Sequence, residues 1–179
     1  WHVSKEANEI TAPSDKPLLV TVETNKSWSI RENNSNVQLY SKGIEYGYPI
    51  GSAEQGFLQL MLDGKLEKGK YVTCSPCFRN QEPNDDFHFN QFMKVELFVY
   101  NDDPVDEFHK MISHAEDLFT HYVNCEMVIM TEDDKGFATA IDIVTVPSNL
   151  ELGSYGIGSY KDYKWVYGIG LAEPRLSQA

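Results

Sequence analysis

Cys77-Phe78-Arg79-Asn80-Gln81-Glu82, a short acidic run, and then His88-Phe89-Asn90-Gln91-Phe92-Met93-Lys94-Val95-Glu96 read as a strand, a polar loop and a returning strand. The flanks, residues 70 to 79 and 91 to 100, alternate with period two. In the second, Met93, Val95, Leu97 and Val99 fall on one face, and Phe92, Lys94, Glu96 and Phe98 on the other. In the first, Val72, Cys74 and Phe78 oppose Tyr71, Thr73, Ser75, Cys77 and Arg79. Each strand thus has an apolar side and a side that mixes charge, hydroxyl and ring. A solvent face seldom needs so many aromatics, so this side is the first hint of a ligand-bearing sheet. Arg79 and Phe92 share it, one offering a bidentate clamp for an anion and the other a flat surface for a base.

Outward from the hairpin, the clearest helix runs from Pro104 to about residue 124. Asp103 suits the N-cap and Pro104 the first helical position. Val105, Phe108, Met111, Ile112, Ala115, Leu118, Phe119, Tyr122 and Val123 keep helical spacing. Before the hairpin, Ser52-Ala53-Glu54-Gln55 has capping-box form, the apolar run Phe57, Leu58, Leu60, Met61 and Leu62 follows, and Asp63-Gly64 stops the helix. After the long helix come strand candidates at 126–131, 137–146, 150–155 and 164–167. Residues 1–50 are the least readable, with short strands expected at 17–23 and 37–41 around a polar loop. A strand pair, a long helix and then several strands with few helices between them predict an α+β fold, a largely antiparallel sheet flanked by helices.

At 179 residues the chain is expected to form one domain, 1–179, and its 41% hydrophobic residues are enough for a core. No apolar run is long enough to span a membrane. Fifteen Lys and Arg against 27 Asp and Glu give a net charge of −12, so the surface as a whole repels phosphate backbones. Nucleotide contact must then be local, at a few arginines. Three cysteines make no disulfide framework, and the start, Trp1-His2-Val3-Ser4-Lys5-Glu6, lacks signal-peptide regions; a reducing, cytoplasmic compartment is expected.

Several suggestive patterns carry little. Cys74-Ser75-Pro76-Cys77 invites a zinc or redox reading, but in a strand those two thiols point to opposite faces, and only Cys125 remains as a third; buried structural cysteines are the expectation. His109, His114 and His121 lie off the apolar stripe of the long helix and read as solvated. Gly153-Ser154-Tyr155-Gly156-Ile157-Gly158 does not fit the dinucleotide fingerprint, and no phosphate-binding P-loop or nucleophile elbow is present.

The hairpin sequence resembles motif 2 of the class II aminoacyl-tRNA synthetases, in which Phe-Arg-x-Glu ends one strand and Phe-x-x-x-Glu opens the next; the seryl and lysyl subgroups match best. Gly168-Ile169-Gly170-Leu171-Ala172-Glu173-Pro174-Arg175 looks like motif 3. Leu150-Glu151-Leu152-Gly153-Ser154 resembles the acidic strand before it, and Gly51-Ser52-Ala53-Glu54 the Thr-x-Glu loop that reads a substrate amino group. The resemblance spans residues 51 to 175 and keeps the family's order. Gln81 stands where the family has its second acidic residue, motif 1, which usually builds the dimer, is not recognised, and the sequence ends four residues after Arg175.

What the resemblance implies is an ATP-dependent, AMP-forming ligase that activates an amino acid as its adenylate. Arg79 and Arg175 would be catalytic, and ATP would be held by Arg79, His88, Phe92, Glu151 and Arg175. Glu54, Glu96 and Ser154 would bind the amino-acid substrate, and Glu151 with Asp142 would hold Mg²⁺. The alternative is a non-catalytic or regulatory paralog that binds a nucleotide, an amino acid or a partner protein. A homodimer is the family's usual state. At −12 and without a basic run, this chain alone is expected to bind tRNA poorly.

Overall fold

The structure is a computed structural model, and it describes residues 2–3, 39–41, 44–47, 51–78 and 91–179, with side chains over 51–77 and 92–179. In chain order the elements are β1 (His2–Val3), β2 (Leu39–Ser41), β3 (Ile44–Gly47), α1 (Glu54–Leu62), β4 (Gly69–Phe78), β5 (Gln91–Tyr100), α2 (Pro104–Tyr122), β6 (Cys125–Glu132), β7 (Ala138–Thr145), β8 (Glu151–Tyr160), β9 (Tyr163–Ala172) and α3 (Arg175–Gln178). The strands expected at 17–23, the loop at 80–90, and Arg79 and His88 lie outside the described residues.

The chain forms two compact units. The first takes residues up to 67 together with 72–94, and the second takes 68–71 and 95–179. Within the first, β2 pairs antiparallel with β3, and β1, β4 and β5 are neighbours in one sheet. Its helix α1 buries Phe57, Leu58, Leu60 and Met61. The start of α1 differs from the capping box in register. Gln55 Oε1 accepts from the Gly51 N–H (2.9 Å), one residue earlier than expected, and Ser52 Oγ accepts from the Glu54 N–H (3.4 Å). The end is as the sequence predicts. Gly64 takes φ of +68°, its N–H reaches the Met61 carbonyl and that of Lys65 the Leu60 carbonyl, the paired bonds of a glycine-stopped helix.

In the second unit the strand order is β4-β5-β9-β8-β7-β6, and β6 to β9 pair antiparallel. Helix α2 packs on β8 and β9. It begins as its sequence demands: the Asp103 carboxylate accepts from the Asp106 N–H (3.1 Å), Pro104 follows, and Asp106 and Glu107 suit the positive end of the helix dipole. Its stripe of Phe108, Met111, Ile112, Ala115 and Phe119 closes over Val99, Ile143, Leu152, Tyr155 and Val166 as one core. Leu97 packs against that cluster too, so the apolar face of β5 is the one turned to the helix. His109, His114 and His121 are exposed, as expected.

Two strands outrun their sequence signals. Expected at 150–155 and 164–167, they extend to 151–160 and 163–172. Gly156 and Gly158 sit inside β8 because rings from the neighbouring strand occupy the space a side chain would take. A Cβ on Gly158 would fall 2.1 Å from Trp165, and one on Gly156 2.3 Å from the Tyr167 hydroxyl. Cys74 is exposed rather than buried, because β4 turns it to the side opposite buried Cys77. At the other margin, β6 ends the strand order and carries Met127, Ile129 and Met130 exposed. Among the described residues no helix is long and apolar enough to cross a membrane.

Candidate functional site

Pairing register decides which side chains share a face. In β7 and β8, Asp142 stands opposite Ser154 and, past an irregularity that slips the register by one residue at Leu152, Val144 stands opposite Glu151, so Asp142, Ser154 and Glu151 project from one side of the sheet. Their strand neighbours Ile143, Leu152 and Tyr155 project from the other, into the core under α2. On β9, Tyr167 pairs with Gly156 and Trp165 with Gly158, which puts both rings on the Asp142 side. Phe98 joins them from β5, its ring stacked on Trp165 with centroids 6.5 Å apart and planes 15° from parallel. In the second unit, therefore, one face of the sheet is helix-covered hydrocarbon and the other holds carboxylates, a hydroxyl and aromatic rings.

The last side chain arrives from the chain's end. Strand β9 stops at Ala172, a turn follows through Glu173 and Pro174, and Arg175 opens α3. Its Nη1 lies 3.2 Å from Glu151 Oε1 and donates to the Glu151 carbonyl oxygen at 3.1 Å. The guanidinium is thus tied to the first residue of β8 through both side chain and main chain. Asp142 has an unusual place. Ser154 donates a hydrogen bond to its carboxyl, yet Oδ1 is buried with no hydrogen-bond partner among the described residues. Burial raises its pKa above the ordinary range, against the Ser154 bond and with help from the Glu151 charge.

An orphaned buried oxygen is costly unless something completes it. Two carboxylates and a hydroxyl are hard oxygen donors, which suits Mg²⁺, an ion that takes one or two protein carboxylates and fills its shell with phosphate and water. No group of three or more His, Cys, Asp or Glu is gathered for a metal among the described residues.

Asp142, Ser154, Glu151 and Arg175, expected from sequence, are thus brought together. Glu96 is buried on β5, and Phe98, two residues on, sits against Trp165. Phe92, half-buried on β5, and Glu54, in the first turn of α1, belong to the first unit. Sequence reading missed Trp165 and Tyr167. Their signal was the glycine at every second position, 156 and 158, which in a strand means that something flat crosses that face.

No protein-family model matches this sequence, and no curated protein does. Solved structures do match. The chain is similar to seryl-tRNA synthetase from Pyrococcus horikoshii, in a structure complexed with ATP, with a TM-score of 0.66 and 22% identity over 85% of this chain. It is similar also to pyrrolysyl-tRNA synthetase from Desulfitobacterium hafniense, in two structures with TM-scores of 0.55 and 0.54 and identities of 18% and 19%, each over 79% of this chain. The chain spans 42% of the seryl enzyme's length and 52% of the pyrrolysyl enzyme's. The fold is α+β, a largely antiparallel sheet with helices, and matches the cores of these synthetase structures.

Proposed function

We propose that the chain is the adenylate-forming core of a class II synthetase-like ligase: it binds ATP and an amino acid and joins them as an aminoacyl adenylate. The observation that carries this reading is the grouping of Glu151, Asp142, Ser154 and Arg175 on one face of the sheet, within a fold shared with a synthetase whose structure holds ATP. In the reaction, an oxygen of the amino-acid carboxylate forms a bond to the α-phosphorus, the bond to the bridging oxygen breaks, and pyrophosphate leaves with its electron pair. No protein nucleophile is needed; the work is alignment and neutralisation of charge.

Arg175 meets the polyphosphate, and Arg79 bridges the substrate carboxylate and the α-phosphate. Phe92 stacks on adenine and His88 reaches the terminal phosphate. Glu151 and Asp142 would hold Mg²⁺, which when bound would neutralise phosphate charge. Glu54 draws the substrate ammonium, with Glu96 and Ser154 lining the amino-acid side. These roles follow the resemblance of the motifs and the chemistry of the side chains. ATP–pyrophosphate exchange with mixed amino acids tests the reading: amino-acid-dependent label in ATP supports it, and none at any amino acid removes the activity.

A second reading is favoured by Gln81, an amide where the family has a carboxylate. A paralog that binds nucleotide or amino acid without joining them would bind ATP and show no exchange.

A further inference from the structure

Arg175 and Glu151 are the two residues of the face that the proposed reaction needs for opposite partners, one for phosphate and one for the metal. In the structure they hold each other. Both contacts go through Nη1, to the carboxylate at 3.2 Å and to the main-chain carbonyl at 3.1 Å, so Nε and Nη2 of the fork are not spent on Glu151. The Arg175 side chain is 15% exposed and that of Glu151 37%, which leaves the carboxylate the more reachable of the two.

We propose that this pair is a latch that makes the face selective for metal-bound over metal-free polyphosphate, with Glu151 acting as the positioning residue for Arg175. The inference rests on the reading of the face as an ATP site. While Glu151 is unliganded, its carboxylate competes with phosphate for the guanidinium, so a metal-free polyphosphate must break an ion pair to reach Arg175. A divalent ion at Glu151 removes that competition. The bond to the carbonyl does not depend on the carboxylate, so it keeps the arginine beside β8 when the ion pair opens. Metal and polyphosphate then bind with mutual assistance, each raising affinity for the other by the same factor. The orphaned Oδ1 of Asp142, across the strand pair, adds negative charge that the ion would also relieve.

Calorimetric titration of the full chain with ATP and with adenosine, each with and without Mg²⁺, tests the latch in wild type, Glu151→Gln and Glu151→Asp. Glutamine removes the competing charge and keeps the shape. Metal-free ATP should bind the Gln variant about two- to fivefold tighter than wild type, the scale of one partly exposed ion pair. Adenosine should be unaffected, and the benefit of Mg²⁺ should shrink, Asp142 remaining as a hard ligand. Aspartate withdraws the carboxylate from Arg175 yet keeps a hard ligand, so it should also tighten metal-free ATP while retaining a Mg²⁺ response; if the Gln variant does not fold, this variant decides. Metal-free ATP binding equal to or weaker than wild type, with adenosine unchanged, overturns the latch and leaves the ATP site standing. A wild-type chain that binds neither ligand overturns both.

Discussion

The Tyr155 hydroxyl donates to the main-chain carbonyl oxygen of Ile169 while its ring lies against the bare Cα of Gly168, so one fully buried side chain ties β8 to β9 by a polar and an apolar contact at once. Burial, with the Glu151 charge behind it, raises the phenol pKa well above the usual range, and the group stays a neutral donor at any working pH.

Tyr155→Phe should therefore cost about 1–2 kcal/mol by removing the donor to a buried carbonyl. Gly168→Ala should cost about 1–3 kcal/mol, because its Cβ would fall 2.4 Å from the Tyr155 ring and 2.5 Å from Met111 Sδ. Urea denaturation measures both. Near-neutral values for both would show that the strands are not pinned there.

Asp142→Asn should raise the melting temperature at pH 7. The folded state prefers the protonated carboxyl, so the ionised form costs stability at pH values above its raised pKa, and that cost is relieved as the pH falls through it. The gain over wild type should accordingly shrink in mild acid. Melting curves from pH 4 to 8 check the sign, and a gain that grows toward low pH would contradict it.

The thiols should react in a fixed order with iodoacetamide at pH 8. Exposed Cys74 should label first and buried Cys77 only on unfolding. Cys125 should lag and then accelerate as the pH rises, since burial first, and the Glu116 charge second, hold its thiol above the usual range. Peptide mapping by mass spectrometry reads the order, and early labelling of Cys125 would refute it.

This chain alone should bind tRNA poorly, even if it activates an amino acid. A net charge of −12 repels a polyanion, and the sequence has no basic run to supply the phosphate contacts that dominate such affinity. Filter binding at low salt is the direct measurement. Saturable submicromolar binding that weakens steeply with salt would overturn the expectation.

What could be read from the sequence follows from what each signal depends on. Helix α2 was legible because Asp103, Pro104 and the apolar stripe act within a few residues of one another. So was β5, whose Leu97 and Val99 face the core while Glu96 and Phe98 face away. Glu151, Ser154 and Arg175 could be named by motif order and Asp142 by its hard carboxylate oxygens, but not their mutual contact: the bond from Arg175 to Glu151 spans two elements, and no local pattern encodes it. The full lengths of β8 and β9 were hidden for the same reason, since Gly156 and Gly158 weaken a strand in isolation and are covered only by Tyr167 and Trp165 from the next one. The register of the α1 cap turned on a single residue, whether Gln55 reaches back to Gly51 or to Ser52.

The edge at β6 sets a limit on handling the protein in solution. Among the described residues, β6 has no further neighbour in the sheet order, and its Met127, Ile129 and Met130 lie exposed, the kind of edge on which two molecules can zip together. Zipping two copies antiparallel about Ile129 would set Glu126 of each against Glu132 of the other, four carboxylates in two repelling pairs. The two glutamates act as gatekeepers, so replacing both by glutamine should promote association of copies along this strand, and lysine in place of Met130 should oppose it.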